Sequence, residues 1–303
     1  MAVQNYIWLD GRFIKEQDAK IHILTHSVQY ASGIFEGIRA FKAKNGTAIF
    51  RLKEHTTRLF NTAKIARMPI TYTEKQINDA IIAIVKKNKL GDCYIRPYAY
   101  YPVVGIGLAN PLKDKRVSVA IAAFPFGQYL EKTDGLNCKV SSYRKVSSNI
   151  LSPLAKFSAN YMGSLLASID VRDGGYDEAI LLSDSGHVAE GPAENIFMVK
   201  DGVLLTPPSS ANILLGITRD SVMKIAKEVG LLVEERDIHR GELYTCDEAF
   251  FVGTAAEVGP IVTIDGRKVG NGKVGPITKM LSDIYMQVVR GEKEEFEGWL
   301  TYV

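Results

Sequence analysis

The sequence predicts a mixed α+β fold built as two domains, and three observations lead there. The chain has 303 residues, roughly twice a typical domain of about 150. It is 46% hydrophobic and 23% charged, the make-up of an ordinary globular interior and surface. Apolar runs of strand length alternate irregularly with segments of helical period. That pattern suits α+β layers better than a doubly wound parallel sheet.

Taken in order, the first half mixes both element types. Residues 6–9 and 13–14 flank Asp10-Gly11 and read as a hairpin, and Asn45-Gly46 reads as a turn before a strand at 47–51. A helix over 53–67 places Leu52, Thr56, Leu59, Phe60 and Ala63 on one face. The clearest helix is 73–90. There Thr73 and Gln76 form a capping box, Ile77, Ile81, Ile84 and Val85 make the stripe, and Gly91 ends it. Residues 93–100 and 117–124 read as buried strands. The turn-rich stretch 125–134 (PFGQYLEKTD) has no periodicity and reads as an interdomain loop. It separates a smaller N-terminal domain (1–124) from a larger C-terminal one (135–303). Beyond it, strands are expected at 137–142, 178–182, 195–199, 231–235 and 248–252. Helices are expected at about 157–172, at 217–229 and at 277–289. The second buries Val222, Ile225, Ala226 and Val229 and stops at Gly230; the third buries Ile277, Leu281, Ile284, Tyr285 and Val288.

Several function classes drop out. Lys and Arg number 37 against 34 Asp and Glu, a net charge of +3, too balanced for a nucleic-acid or anionic-membrane surface. No apolar run approaches the ~20 residues of a membrane span. The start, MAVQNYIWLDGRFI, lacks a basic region followed by an apolar core, so no secretory signal is read and the expected location is cytoplasmic. Cys93, Cys138 and Cys246 are too scattered for a disulfide framework or a zinc–cysteine site. His22 and His26 carry Ile23 where a zinc protease needs glutamate. Gly105-x-Gly107 runs on to Asn110 rather than glycine, and no GxSxG occurs.

Four segments can carry chemistry. Lys156, in SPLAKFSANYMGSLL, stands near the start of an expected helix. The helix dipole and partial burial both disfavour its charged form, and a neutral amine can attack an aldehyde. Glu190, in HVAEGPAENIF, sits at a tight Gly-Pro bend that can aim a carboxylate rigidly at a pyridine nitrogen. Leu214-Leu215-Gly216-Ile217-Thr218-Arg219 opens a helix whose first N–H groups suit an anion. Gly253-Thr254-Ala255-Ala256 is a small-residue turn whose N–H groups can approach a phosphate or a carboxylate. Taken singly, these segments equally suit a solvated lysine, a hairpin acid and two plain loops.

Together they resemble the branched-chain amino acid aminotransferases, class IV pyridoxal 5'-phosphate enzymes of fold type IV. The resemblance covers nearly the whole chain. It runs from YIWLDGRF and YASGIFEGIRAF through RLF, YIRP, AKFSANY, EGPAENIFMVKDGVLLTPP and GITRD to GTAAEVGP and GPITK. It implies a cofactor between the two domains, bound chiefly by the C-terminal one. Lys156 resembles the catalytic Schiff-base lysine, Glu190 the acid on the pyridine nitrogen, and Tyr161 the partner of the phenolic oxygen. Arg58, Ile217, Thr218 and Thr254 resemble the phosphate clamp, with Leu214 in the same cofactor-binding segment. Thr254 and Ala255 match the turn that holds the substrate carboxylate. Tyr94 and Arg96, two apart on a strand and so on one face, match the carboxylate end of the pocket. Tyr30, Phe35 and Tyr129 match its side-chain walls, with Gly37 and Arg39 beside them. Leu108 matches a loop reaching the neighbouring subunit, which implies a homodimer or an oligomer built of dimers.

The implied reaction moves the amino group of leucine, isoleucine or valine to 2-oxoglutarate in two ping-pong stages. The partners are then small amino acids and 2-oxo acids, with no nucleic acid, membrane or metal. D-amino acid transaminases, (R)-amine transaminases and aminodeoxychorismate lyases share the lysine and the glutamate. The Tyr94/Arg96 pair and GITRD favour the branched-chain L-enzyme.

Overall fold

The computed structural model describes residues 5–127 and 134–303. Tyr129 and most of the stretch read as an interdomain loop lie outside the described residues. Contacts gather the chain into two units. One holds the described residues up to Gly127 together with Ala155–Ala159 and Val288–Val303; the other holds 134–154 and Asn160–Gln287.

The first unit is built on β1 (Tyr6–Leu9), β2 (Arg12–Lys15), β3 (Ile34–Phe35), β4 (Ile38–Ala43), β5 (Gly46–Phe50), β6 (Cys93–Tyr100) and β7 (Ser118–Pro125). With the C-terminal strand Leu300–Tyr302 they form one sheet in the order Leu300–Tyr302, β5, β4, β6, β7, β1, β2, and β3 also pairs with β6. The β1–β2 turn follows from its two residues: Asp10 and Gly11 both take positive φ, as a two-residue hairpin turn requires. Two helices, α2 (Leu52–Ile65) and α3 (Glu74–Lys87), follow the short α1 (His26–Tyr30), and a single turn, α4 (Asn110–Lys113), lies between β6 and β7. Leu52, Leu59 and Ala63 of α2 and Ile77, Ile81, Ile84 and Val85 of α3 share a core with Ile38, Ile49, Ile95 and Ile121 of the sheet. The Thr73–Gln76 capping box is present in both directions. The helix ends earlier than its glycine: Lys89, not Gly91, takes the left-handed conformation. Asn88 spends its side chain tying Tyr6 and Ala123 to this end.

In the second unit the strands are β8 (Leu136–Arg144), β9 (Glu178–Leu182), β10 (Val188–Glu190), β11 (Asn195–Lys200), β12 (Val203–Thr206), β13 (Val233–Glu235), β14 (Glu248–Gly253), β15 (Glu257–Ile264) and β16 (Arg267–Lys268). The order is β10, β9, β8, β15, β14, β11, β12, β13, and β10 also pairs with β11. That extra pairing closes a ring of six strands through one residue pair, Glu190 with Asn195.

The helices here are α5 (Tyr161–Asp173), α6 (Ile217–Glu228) and α7 (Pro276–Val289). Glu248 accepts the N–H groups of Ile277 and Thr278 and so caps the start of α7. Gly230 does end α6, with φ of +81°, but Val229 faces solvent rather than the core. The helix expected from 157 begins only at Tyr161, after a 3-10 turn at Ser158–Asn160. Among the described residues, no helix is long and apolar enough to cross a membrane.

Candidate functional site

In the first unit, Lys156 is not at a helix start. The 155–159 segment instead lies along β3: the Phe35 N–H donates to the Lys156 carbonyl, Ser158 donates to Gly33, and Ile34 bridges Phe157. The Lys156 N–H donates to Thr62 Oγ1 on α2 at 3.2 Å. These bonds occupy the backbone groups a helix would have used. The dipole argument for Lys156 therefore fails, and another cause takes its place. Its pKa is lowered to about 8, first by burial and next by the charge of Arg58, with Glu36 opposing. An amine with that value is appreciably neutral near physiological pH, the state that attacks a carbonyl.

Around it gather residues that the sequence nominated separately. The Lys156 ammonium lies 5.0 Å from the centre of the Phe35 ring, and the Arg96 guanidinium lies 4.6 Å from the same ring. Arg96 Nη2 donates to Tyr94 Oη at 2.9 Å, so the two do share one face of β6. Arg96 Nε is buried without a hydrogen-bond partner among the described residues, a donor suited to an incoming carboxylate. Gly37 is fixed by contact: a Cβ there would fall 2.0 Å from Tyr94 Oη. Arg39 stands opposite Tyr94 in the ladder. Its guanidinium lies over Phe41 and Phe126, and the Tyr94 ring also meets Phe126.

Arg58 is held on one side by Glu36, through Nε at 2.6 Å and Nη2 at 2.8 Å. Tyr30 is half-buried at the end of α1, with its ring against His26. Leu108 is 75% exposed.

The second unit presents a carboxylate saturated with donors. Glu190, buried at the end of β10, takes the Lys145 ammonium at 2.6 Å, the Asn195 side-chain amide at 2.9 Å and the Leu214 N–H at 3.2 Å. Asn195 also donates to the Leu214 carbonyl, so one side chain fixes the acid and the loop entering α6. Gly216, the N-cap of α6, packs so closely that a Cβ would fall 2.0 Å from Asn195 Oδ1. The N-cap therefore brings no capping side chain, and Ile217 and Thr218 are buried in the first turn. The turn carrying Thr254 and Ala255 follows β14. β14 pairs with β11, Val252 opposite Asn195, so this turn lies at the same end of the sheet as Glu190. Gly253 lies against Ala193 and Glu194. Tyr161 opens α5.

Glu36, His55, Lys145 and Asn195 were not read from the sequence. Glu36 left one signal, a lone carboxylate in the apolar run IFEGIRAF. Lys145 left none, since its partner lies far along the chain.

These residues fit a phosphorylated pyridine aldehyde. There is an amine with a lowered pKa, a fixed acid for a ring nitrogen, and a helix start whose glycine N-cap allows no side chain. Comparison with known proteins agrees. The family model described as Amino-transferase class IV matches residues 33–264. The branched-chain-amino-acid aminotransferase of Pseudomonas aeruginosa is 45% identical over 98% of this chain and 97% of its own. A branched-chain amino acid aminotransferase whose source is given as T.th. was solved with pyridoxamine 5'-phosphate. It superposes with a TM-score of 0.95 at 41% identity, over 99% of this chain and 98% of its own. The same enzyme was also solved with N-(5'-phosphopyridoxyl)-L-glutamate. The branched-chain aminotransferase of Thermoproteus uzoniensis, solved with norvaline, gives 0.94 at 43% identity, over 98% and 99%.

Proposed function

The chain belongs to the class IV amino-transferases, among their branched-chain-amino-acid aminotransferases, and from that premise we propose that it transfers the amino group of L-leucine, L-isoleucine or L-valine to 2-oxoglutarate in two ping-pong stages, with pyridoxal 5'-phosphate as cofactor. The observation that carries this reading is Lys156, an amine brought to a pKa of about 8 against Phe35 and beside Arg58. Bound pyridoxal phosphate supplies an electron sink for the carbon that loses its proton.

The chain's own residues do the rest. Lys156 holds the aldehyde covalently, is displaced by the substrate amine, and then carries the proton away from Cα and back. Glu190 faces the ring nitrogen and Tyr161 the phenolic oxygen. Arg58, the first turn of α6 (Ile217, Thr218) and Thr254 take the phosphate, with Leu214 holding the acid's loop. Thr254 and Ala255 offer N–H groups to the substrate carboxylate. Tyr30, Phe35, Tyr94 and Tyr129 line the side-chain pocket, with Gly37 and Arg39 beside it. Arg96 meets the distal carboxylate when glutamate binds; the adduct solved in the relative that also took pyridoxamine 5'-phosphate carries glutamate.

The working assembly in this reading is a cytoplasmic homodimer or an oligomer of dimers. Exposed Leu108, and an exposed stripe of Met162, Leu165, Leu166 and Ile169 at helical spacing on α5, support it. In solution the particle should then weigh at least twice the 33.5 kDa of one chain.

The deciding experiment is a panel of both enantiomers of leucine, valine and alanine, an (R)-amine and aminodeoxychorismate, read by glutamate formed from 2-oxoglutarate. Glutamate from the L-branched substrates supports this reading. Glutamate chiefly from the D-substrates or the amine, or pyruvate release without any oxo acid consumed, would replace it with the corresponding relative of the same fold.

A further inference from the structure

Glu36 is a fully buried carboxylate with no part in the reaction just described. It lies between β3 and β4, and its two oxygens are fully engaged. Oε1 accepts from Arg58 Nε; Oε2 accepts from Arg58 Nη2, from His55 Nδ1 at 2.8 Å and from the Gly37 N–H at 3.3 Å. Burial alone would raise its pKa. The charge of Arg58 and the bonds from Arg58 and His55 outweigh that, and the net value falls well below the usual carboxylate range. His55, Arg58 and Thr62 recur at helical spacing on α2 and so share one face. Two of them hold Glu36, and the third holds the Lys156 backbone.

An arginine side chain carries about 2 kcal/mol of rotamer entropy. A two-point grip on the Nε–Nη2 edge removes most of that freedom and leaves the guanidinium plane in one orientation.

We propose that Glu36 is the positioning residue of the phosphate clamp: it grips one edge of Arg58 so that the Nη1 side is presented to the cofactor phosphate, and His55 locks Glu36 in turn. Glu36 touches no substrate and acts only through Arg58. Its role is therefore to tune phosphate affinity, and it should have little bearing on the aldehyde or the ring. This rests on the pyridoxal-phosphate reading, which the test below separates from it.

The probes are pyridoxal 5'-phosphate and pyridoxal, which lacks the phosphate. Each is titrated into apo-protein and followed by protein fluorescence. The proteins are wild type, Glu36→Gln, Glu36→Asp, Arg58→Met and the Glu36→Gln/Arg58→Met double variant, each checked for folding by thermal melting. The wild type should prefer the phosphorylated form. Glu36→Gln should weaken pyridoxal phosphate about tenfold, the scale of losing an outer partner of a ligand-holding group, and leave pyridoxal within about twofold. In the Arg58→Met background the same change should cost nothing further.

Equal losses for both probes, or no loss for either, overturn the proposal, as does an additive loss in the double variant. Should Glu36→Gln fail to fold, Glu36→Asp decides. It keeps the charge but withdraws the carboxylate by one methylene, and it must show the same selective loss. A wild type that binds neither probe would instead sink the pyridoxal-phosphate reading itself.

Discussion

The two units treat their key charge in opposite ways. In the first, Lys156 is buried among cations and has its charge disfavoured, with Arg58 lowering its pKa and Glu36 only partly restoring it. In the second, the Glu190 carboxylate is satisfied from three directions by Lys145, Asn195 and the Leu214 backbone. Its neighbour Glu194 is served less well, by the Ala193 N–H at 3.0 Å. Burial first, and then the charge of Glu178, push it up to about 8, so near neutral pH it adds little second charge beside the turn. One unit keeps a group reactive by denying it stabilisation; the other keeps a group fixed by supplying it. A transaminase needs both, because its amine must change state during turnover while the acid facing the ring must not.

The hardest blow to this contrast comes from the reactive side. Lys156→Ala removes the covalent anchor and the proton carrier together, so kcat for L-leucine with 2-oxoglutarate should fall at least ~10³-fold. Loss of the fixed acid should cost less. Glu190→Gln keeps the shape and the contacts to Asn195 and Leu214 but removes the charge, and kcat should fall roughly 10²-fold, the scale of one preorganised electrostatic partner. Steady-state rates of both variants measure the order. If Glu190→Gln proves the more damaging, or if Lys156→Ala turns over normally, the division of labour is wrong.

How much of this was legible in the sequence follows the same division. The hairpin at Asp10-Gly11, the capping box at Thr73 and strands such as Glu178–Leu182 were readable because each is set by neighbours in the chain. The Glu190 turn was readable for the same reason. The setting of Lys156 was not. Its segment is held by β3 and by Thr62 of α2, and no local pattern announces such a long-range pairing, so a helix start was expected where an added strand-like segment lies. Lys145 and Glu36 were invisible for a related reason: a buried ion pair is defined by two distant residues, and either alone reads as a surface charge. Val229 continued a good apolar stripe in sequence, but α6 ends before it and leaves it outside.

Arg96 offers a finer test, because it serves the reactive unit only when the substrate is acidic. Its buried Nε lacks a partner among the described residues, and a distal carboxylate would supply one. Arg96→Leu should therefore lower kcat/KM for glutamate about 30-fold or more, while leucine changes by no more than about threefold. A double comparison of both substrates on wild type and variant measures this. Equal losses would show that Arg96 only supports the pocket through Tyr94 and Phe35, and the first unit would then lack a group that reads substrate charge.

The smallest effect is in stability rather than rate, and it carries the contrast in its sign. Lys156 folds with a pKa of about 8 against an ordinary lysine value of 10.5. Between those values the unfolded chain binds more protons than the folded one, so this residue makes apo-protein stability rise with pH across that window. Below about pH 8 the buried charge is a penalty of at most roughly 3 kcal/mol. Lys156→Met apo-protein should accordingly melt higher than wild type at pH 7, with the gap closing as pH approaches 10.5. Lys145→Met should do the reverse. It strands Glu190 in a buried site without its cation, and at pH 7 it should melt lower by the equivalent of about 3 kcal/mol. Melting curves of the two variants at pH 7 and pH 10 decide it. If both shift in the same direction, the two lysines are alike in kind, and the first unit does not hold its amine in a strained state.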